Sequence, residues 1–135
     1  MALHYSLREI KNNSFTGNKP CYAVNLVTSG NVDLEDLADT INHMSSASQG
    51  DVTGILKNLV SLVAQELSNG NTVTLNGLGT FSLSAGLNKE ITNPEQVTGN
   101  DIEVKRVCFK SSPDFRNKIK DVSFVRFQPG ERWTR

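Results

Sequence analysis

Apolar positions along the chain change their period several times, and each change predicts an element. Residues 3–10 alternate, Leu3, Tyr5 and Leu7 against His4, Ser6 and Arg8, and the polar run Asn12-Asn13-Ser14-Phe15-Thr16-Gly17-Asn18 separates them from Tyr22-Ala23-Val24-Asn25-Leu26-Val27. Alternation on both sides of a polar break predicts two strands joined by a loop. Beyond Ser29-Gly30-Asn31 the apolar residues Leu34, Leu37, Ala38 and Ile41 recur at helical spacing, with Asp33, Glu35 and Asp36 in the first turn. Carboxylates at that position favour the positive end of the helix dipole, which weighs against reading the three acids as a metal or acid/base cluster.

Ser48, with Asp51 three residues on, resembles a capping box and opens a helix that runs to about Ser68. Val52, Ile55, Leu56, Leu59, Val63 and Leu67 form one stripe, widened by Val60 and Leu62. A helix so broadly apolar requires more than one neighbour. Asn69-Gly70 ends it, and Thr72–Asn76 and Thr80–Ser84 alternate around Gly77-Leu78-Gly79, which predicts a hairpin whose glycines supply positive φ. From Ala85 to Asp101 the large apolar residues thin to Leu87, Ile91 and Val97, so this stretch cannot build a core. Alternation returns at Ile102 and Val104 and changes phase at Val107 and Phe109, predicting a bulge or bend near Arg106. Ser112-Pro113-Asp114 has the cap, proline and acid of a helix start, and Val122, Phe124 and Phe127 mark a closing strand.

Composition adds less than distribution. The 135 residues are 37% hydrophobic and 21% charged, which suits one α+β domain with a modest core, or a core completed by a partner. Fourteen basic residues balance fourteen acidic ones, yet residues 1–30 carry three and one, 31–102 two and nine, and 103–135 nine and four. A neutral chain can thus keep a basic face, because salt screens charges beyond roughly 8–10 Å. Cys21 and Cys108 form no C-x-x-C pair, and with no signal-peptide core or apolar run of spanning length the chain is expected to be reduced and cytoplasmic. His4 and His43 are isolated, Gly77-Leu78-Gly79 lacks the third glycine and following helix of a phosphate loop, and no nucleophile set is spaced for catalysis, so neither an enzyme nor a cofactor or small-molecule substrate is expected.

The order helix, long helix, hairpin, polar arm, return strand and short helix resembles the HU/IHF family of bacterial histone-like DNA-binding proteins. Val73-Thr74-Leu75-Asn76-Gly77-Leu78-Gly79-Thr80-Phe81 is similar to that family's strand-turn-strand signature, with Leu78 where an aromatic is usual. Thr92-Asn93-Pro94-Glu95-Gln96-Val97-Thr98-Gly99 is similar to its arm tip, Arg-Asn-Pro-Gln-Thr-Gly, with an inserted residue and an acid. Phe109-Lys110-Ser111-Ser112-Pro113-Asp114-Phe115-Arg116 resembles its last-helix motif, with Pro113 in place of a lysine. The terminal strands resemble those of the longer HU-like proteins of Bacteroidetes.

The resemblance implies an HU-like domain over 1–128: a strand extension at 1–30, a helical dimerisation base at 33–69, sheet and arm at 71–110 with the arm at about 85–103, a short helix at 112–120, a closing strand at 121–128, and a loose tail at 129–135. It implies a homodimer, with Ile55, Leu56, Leu59, Val63, Phe81 and Phe109 at the interface, and double-stranded DNA as the partner. Lys89, Asn93 and Pro94 on the arm, Lys105, Arg106 and Lys110 on the return strand, and Arg116 and Lys118 on the last helix are the expected DNA contacts. Pro94 has two readings, a simple turn former or a wedge between base steps. The arm of that family carries arginines that line the minor groove, whereas residues 86–106 here hold only Lys89, Lys105 and Arg106 against Glu90, Glu95, Asp101 and Glu103. This supports an alternative, a dimerisation scaffold acting through protein partners with weak DNA affinity.

Overall fold

The computed structural model describes residues 2–10 and 20–127, so the polar run 12–18 and the tail 129–135 lie outside the described residues. The chain divides into two compact units, residues 1–33 with 120–135 and residues 34–119.

The first unit is a three-stranded sheet in the order β2-β1-β6. β1 (Ala2–Ile10) runs antiparallel to β2 (Cys21–Val27), with Tyr5 opposite Leu26 and Leu7 opposite Val24. On its other side β1 pairs in parallel with β6 (Ser123–Arg126), Leu3 opposite Phe124, and Phe127 N donates to Tyr5 O at 2.8 Å. Residues opposite one another share a face, so this register gathers Leu3, Tyr5, Leu7, Val24, Leu26 and Phe124 on one side of the sheet. A slip by one residue would scatter them, which is why the alternation read in the sequence specifies the register.

The second unit begins with α1 (Leu34–Met44) and α2 (Gln49–Ser68). Their connection is tied by Asn42 Nδ2 donating to Ala47 O at 2.7 Å. Ser48 caps α2: its Oγ accepts from Asp51 N at 3.2 Å and donates to Asp51 Oδ2 at 2.6 Å. At the other end Gly70 adopts φ 89°, with Asn71 N bonded to Glu66 O at 3.0 Å and Gly70 N to Leu67 O at 3.1 Å. These two bonds satisfy carbonyls that the helix leaves over, and the left-handed conformation is open to glycine because it has no Cβ. The chain then enters the sheet β3-β4-β5, made of β3 (Val73–Leu75), β4 (Gly79–Leu87) and β5 (Ile102–Ser111), followed by α3 (Pro113–Lys118).

The two glycines of the hairpin do different work. Gly77 takes positive φ, 83°, as the turn requires. Gly79 does not need positive φ, contrary to the sequence expectation. It is the first residue of β4, and a Cβ built there would lie 2.7 Å from Cε2 and 2.8 Å from Cζ of Phe109, beside the Lys110 carbonyl. Its role is to admit the Phe109 ring, which packs on Phe81 with centroids 4.9 Å apart.

Among the described residues the buried apolar side chains are Ala38, Val52 and Leu67. α2 therefore meets α1 and the sheet along only part of its stripe. Ile55, Val60 and Leu62 remain 65%, 60% and 55% exposed.

Gly79→Ala is expected to lower stability by about 1–3 kcal/mol through overpacking against Phe109. Gly54→Ala, on the opposite face of α2 where nothing lies within 4 Å of an added Cβ, is expected to raise it by about 0.5–1 kcal/mol. Urea denaturation of the two variants checks both signs.

Candidate functional site

β4 and β5 form a ribbon with two chemically distinct faces. Phe81 opposite Phe109 and Leu83 opposite Val107 lie on one, while Thr80 opposite Lys110, Ser82 opposite Cys108 and Ser84 opposite Arg106 lie on the other. The register shifts immediately beyond, where Ala85 pairs with Val104 and Lys105 is passed over. This is the bulge that the phase change near Arg106 predicts. Regular alternation would send Lys105 to the apolar face with Val107. Instead its Cγ and Cε lie 2.9 and 3.0 Å from where a Cβ on Gly86 would stand, so its stem crosses the glycine and its Nζ meets Glu103 Oε1. A bulge re-aims a side chain in this way, and here it adds Lys105 to the polar face that carries Arg106 and Lys110.

Past Leu87 the ribbon closes in a compact loop. Asn88 N donates to Asp101 O and Asn88 Nδ2 to Asn100 O, each at 2.9 Å. Asn93 Oδ1 accepts from Glu95 N at 3.1 Å and starts a 3-10 turn over Pro94–Gln96, with Pro94 at its first position. Proline suits that position because its φ is already set and no N–H is left over. The turn role of Pro94 is thus realised, and its ring is exposed. A second 3-10 turn, Gly99–Asp101, is closed by Asp101 Oδ2 accepting from Thr98 N at 3.0 Å and Thr98 Oγ1 at 3.3 Å. The other oxygen, Oδ1, takes Lys89 Nζ at 2.8 Å. The Lys89 bond, then the Thr98 amide, hold the Asp101 carboxyl below its ordinary value of 3.8 against the opposing effect of burial.

α3 carries the remaining basic residues. Ser112 caps it, accepting from Phe115 N at 3.2 Å, and Ser112 N donates to Leu78 O at 3.0 Å, which ties the helix to the hairpin turn. Arg116 and Lys118 fall in its last turn, exposed, where cations complement the dipole.

Of the expected contacts, the structure brings Lys105, Arg106 and Lys110 to one face of the ribbon, Asn93 and Pro94 to its tip, and Arg116 and Lys118 to the helix that follows. Lys89 is paired with Asp101, its side chain still 62% exposed. A count of charges does not pair Lys89 with Asp101 or Lys105 with Glu103; the capping-box spacing of Thr98-x-x-Asp101 signals only the turn that Asp101 closes. The expected interface residues line an incomplete surface: Leu56, Val63 and Phe81 are half-buried, Ile55 and Leu59 exposed, and Phe109 47% exposed. Between α2 and the ribbon runs an apolar groove of about 460 Å³, lined by Val60, Val63, Leu67, Phe81, Leu83 and Val107 among others. Cys21 and Cys108 are not disulfide-bonded. Among the described residues no three His, Cys, Asp or Glu side chains gather as a metal set, and no helix is long and apolar enough to cross a membrane.

Because the Asp101 carboxyl is held low, its contribution to the loop is complete above pH 3.8 and is lost as pH falls through the lowered value. The Thr98 amide resonance, followed by NMR through an acid titration, is expected to move with a midpoint below 3.8. A midpoint above that value would contradict the assigned contacts.

The comparisons with known proteins agree with this architecture. Residues 1–126 match the family described as "HU domain fused to wHTH, Ig, or Glycine-rich motif". Integration host factor subunit beta of Colwellia psychrerythraea is 30% identical over 89 residues, covering 64% of this chain and 88% of the relative. Integration host factor subunit alpha of Caulobacter vibrioides is 29% identical over 85 residues, 62% of this chain and 85% of the relative. Among solved structures, a Bacteroides vulgatus protein provisionally assigned as a bacterial DNA-binding protein superposes with a TM-score of 0.65 at 17% identity over 95% of this chain, and the chain spans about half, 50%, of its length. Anabaena HU, in a cocrystal structure with DNA, superposes with a TM-score of 0.51 at 21% identity, covering 67% of this chain and 99% of that one. With the helical base, the hairpin signature and the extended arm in place, the chain belongs to this family of HU domains and has the HU/IHF fold.

Proposed function

We propose that this protein is an architectural DNA-binding protein that grips duplex DNA as a homodimer, bends it with little sequence preference and contributes to compacting the nucleoid. The observation that carries the reading is the bulge at Lys105, which assembles Lys105, Arg106 and Lys110 on the polar face of a ribbon whose tip displays Pro94. Lysine and arginine side chains arranged along a ribbon suit the phosphate backbone, which supplies affinity without sequence information. An exposed proline ring, apolar and without an N–H, suits insertion between base steps, where the unstacking cost is offset by the contacts that bending permits. That the relatives include integration host factor subunits and an HU protein crystallised with DNA supports the same conclusion. Action at the nucleoid would place the protein in the cytoplasm.

The uncovered apolar surface supports homodimerisation. Ile55, Leu59 and Phe109 are exposed, and a second α2 and ribbon would cover them together with the apolar groove between α2 and the ribbon. Extensive exposed apolar surface marks an interaction site. One observation favours the alternative of a scaffold acting through proteins: Lys89 and Lys105 are already engaged by carboxylates, so the arm offers phosphate fewer unpaired cations than its sequence contains.

Replacing Lys105, Arg106, Lys110 and Arg116 together by Ala is expected to weaken binding to unrelated duplexes about equally. It should also flatten the log-log salt dependence by roughly 0.9 per lost phosphate contact. Fluorescence anisotropy between roughly 50 and 150 mM salt, the range over which such contacts weaken steeply, reads both; unchanged binding would favour the scaffold. In light scattering the parent is expected at twice the 14.8 kDa chain mass. Leu59→Asp, which places a charge on this apolar surface, is expected to abolish the dimer and its cooperative unfolding together. A folded monomeric parent would remove the basis of the dimer.

A further inference from the structure

Asp101 is the one buried charged side chain among the described residues, 8% exposed, yet it sits on an arm that has no core of its own. Its burial comes from the contacts it makes. Through its carbonyl it holds Asn88, where the chain leaves β4, and through one carboxylate oxygen it holds Lys89. Through the other oxygen it holds the amide and hydroxyl of Thr98, one residue beyond Val97, whose N–H donates to Pro94 O at 3.3 Å. One residue therefore joins the outgoing strand, the returning strand and the segment that carries the proline. The loop contains no other ion pair and no buried apolar side chain.

Resting on the DNA-binding reading above, we propose that Asp101 is the positioning residue of the arm tip: it clasps the loop so that Pro94 is presented in a fixed place, and it withholds Lys89 from phosphate. Two consequences of opposite sign follow. Loss of the clasp should release the proline from its fixed position and reduce bending, because ordering the loop must then be achieved at the moment of binding. Loss of the carboxylate charge should free Lys89 and add a phosphate contact. A residue that merely stabilised the fold would lower both bending and binding, and would leave the salt dependence unchanged.

The two parts separate in Asp101→Asn and Asp101→Ala. Asparagine retains an oxygen for the Thr98 amide but loses the ion pair, whereas alanine loses both. Glu90 and Glu95 lie within the loop, so a glutamate-specific protease reports its opening on the whole protein without DNA. Cleavage tracks the open population when opening and closing are fast, and Asp101→Ala is expected to be cut about tenfold faster than the parent, with Asp101→Asn close to the parent. Fluorescence transfer on end-labelled linear duplex is expected to show bending by Asp101→Ala reduced to the level of Pro94→Ala, and bending by Asp101→Asn retained. Both Asp101 variants are expected to steepen the salt dependence of binding by about one unit, and adding Lys89→Ala should restore the parent slope. Equal cleavage of parent and Asp101→Ala overturns the clasp whatever the DNA result. Faster cleavage with undiminished bending, or with an unchanged salt slope, overturns its role in presenting Pro94 or in withholding Lys89, respectively. Faster cleavage in a protein whose parent form binds no duplex upholds the clasp and overturns the DNA-binding reading instead.

Discussion

A twenty-residue helix with apolar side chains over more than half of its circumference needs covering from several directions, and α1 and the sheet of its own unit cover it from two. α1 packs on the N-terminal part of α2, where Val52 is buried, and the sheet packs toward the C-terminal part, where Leu67 is buried. Between them Ile55, Leu59, Val60 and Leu62 remain open to water. Burial of apolar surface contributes roughly 25 cal/mol per Å², so leaving such a stripe uncovered forfeits a large part of what could stabilise the second unit. The proposed homodimer would answer that deficit.

The ribbon divides its labour by face. On its apolar face Phe81, Phe109, Leu83 and Val107 continue the incomplete core, and Gly79 exists to let the Phe109 ring approach. On its polar face the same strands carry Arg106 and Lys110. Strict alternation can maintain two such faces but cannot place two consecutive cations on one of them. The bulge at Lys105 does so locally, at the point where the ribbon leaves the base, and Gly86 leaves room for the lysine stem.

Beyond that point hydrogen bonds and ion pairs take over from packing. The tip has no core, so its shape rests on Asn88, Thr98 and Asp101, and its one lysine, Lys89, is held by Asp101, as Lys105 nearer the base is held by Glu103. Four carboxylates on an arm expected to meet a polyanion look unfavourable when charges are only counted. Two of them act inside the arm: Asp101 closes the loop and Glu103 engages Lys105.

What the sequence by itself determined was everything governed by local periodicity and backbone chemistry. The two N-terminal strands, the caps at Ser48 and Ser112, the stop at Asn69-Gly70, the hairpin turn at Gly77 and the phase change near Arg106 are each written in residues close together in the chain. The family signature at Val73–Phe81 lies within one such stretch. Tertiary structure decided what depends on residues far apart. Nothing near Phe124 says that β6 lies parallel to β1, because strand pairing is chosen by faces that meet only after folding. Nothing around Gly79 says that it faces Phe109, thirty residues on. The partners of Lys89 and Lys105 were likewise invisible to a count of charges, since an ion pair is a matter of distance and the loop turns must form before Asp101 comes within 2.8 Å of Lys89.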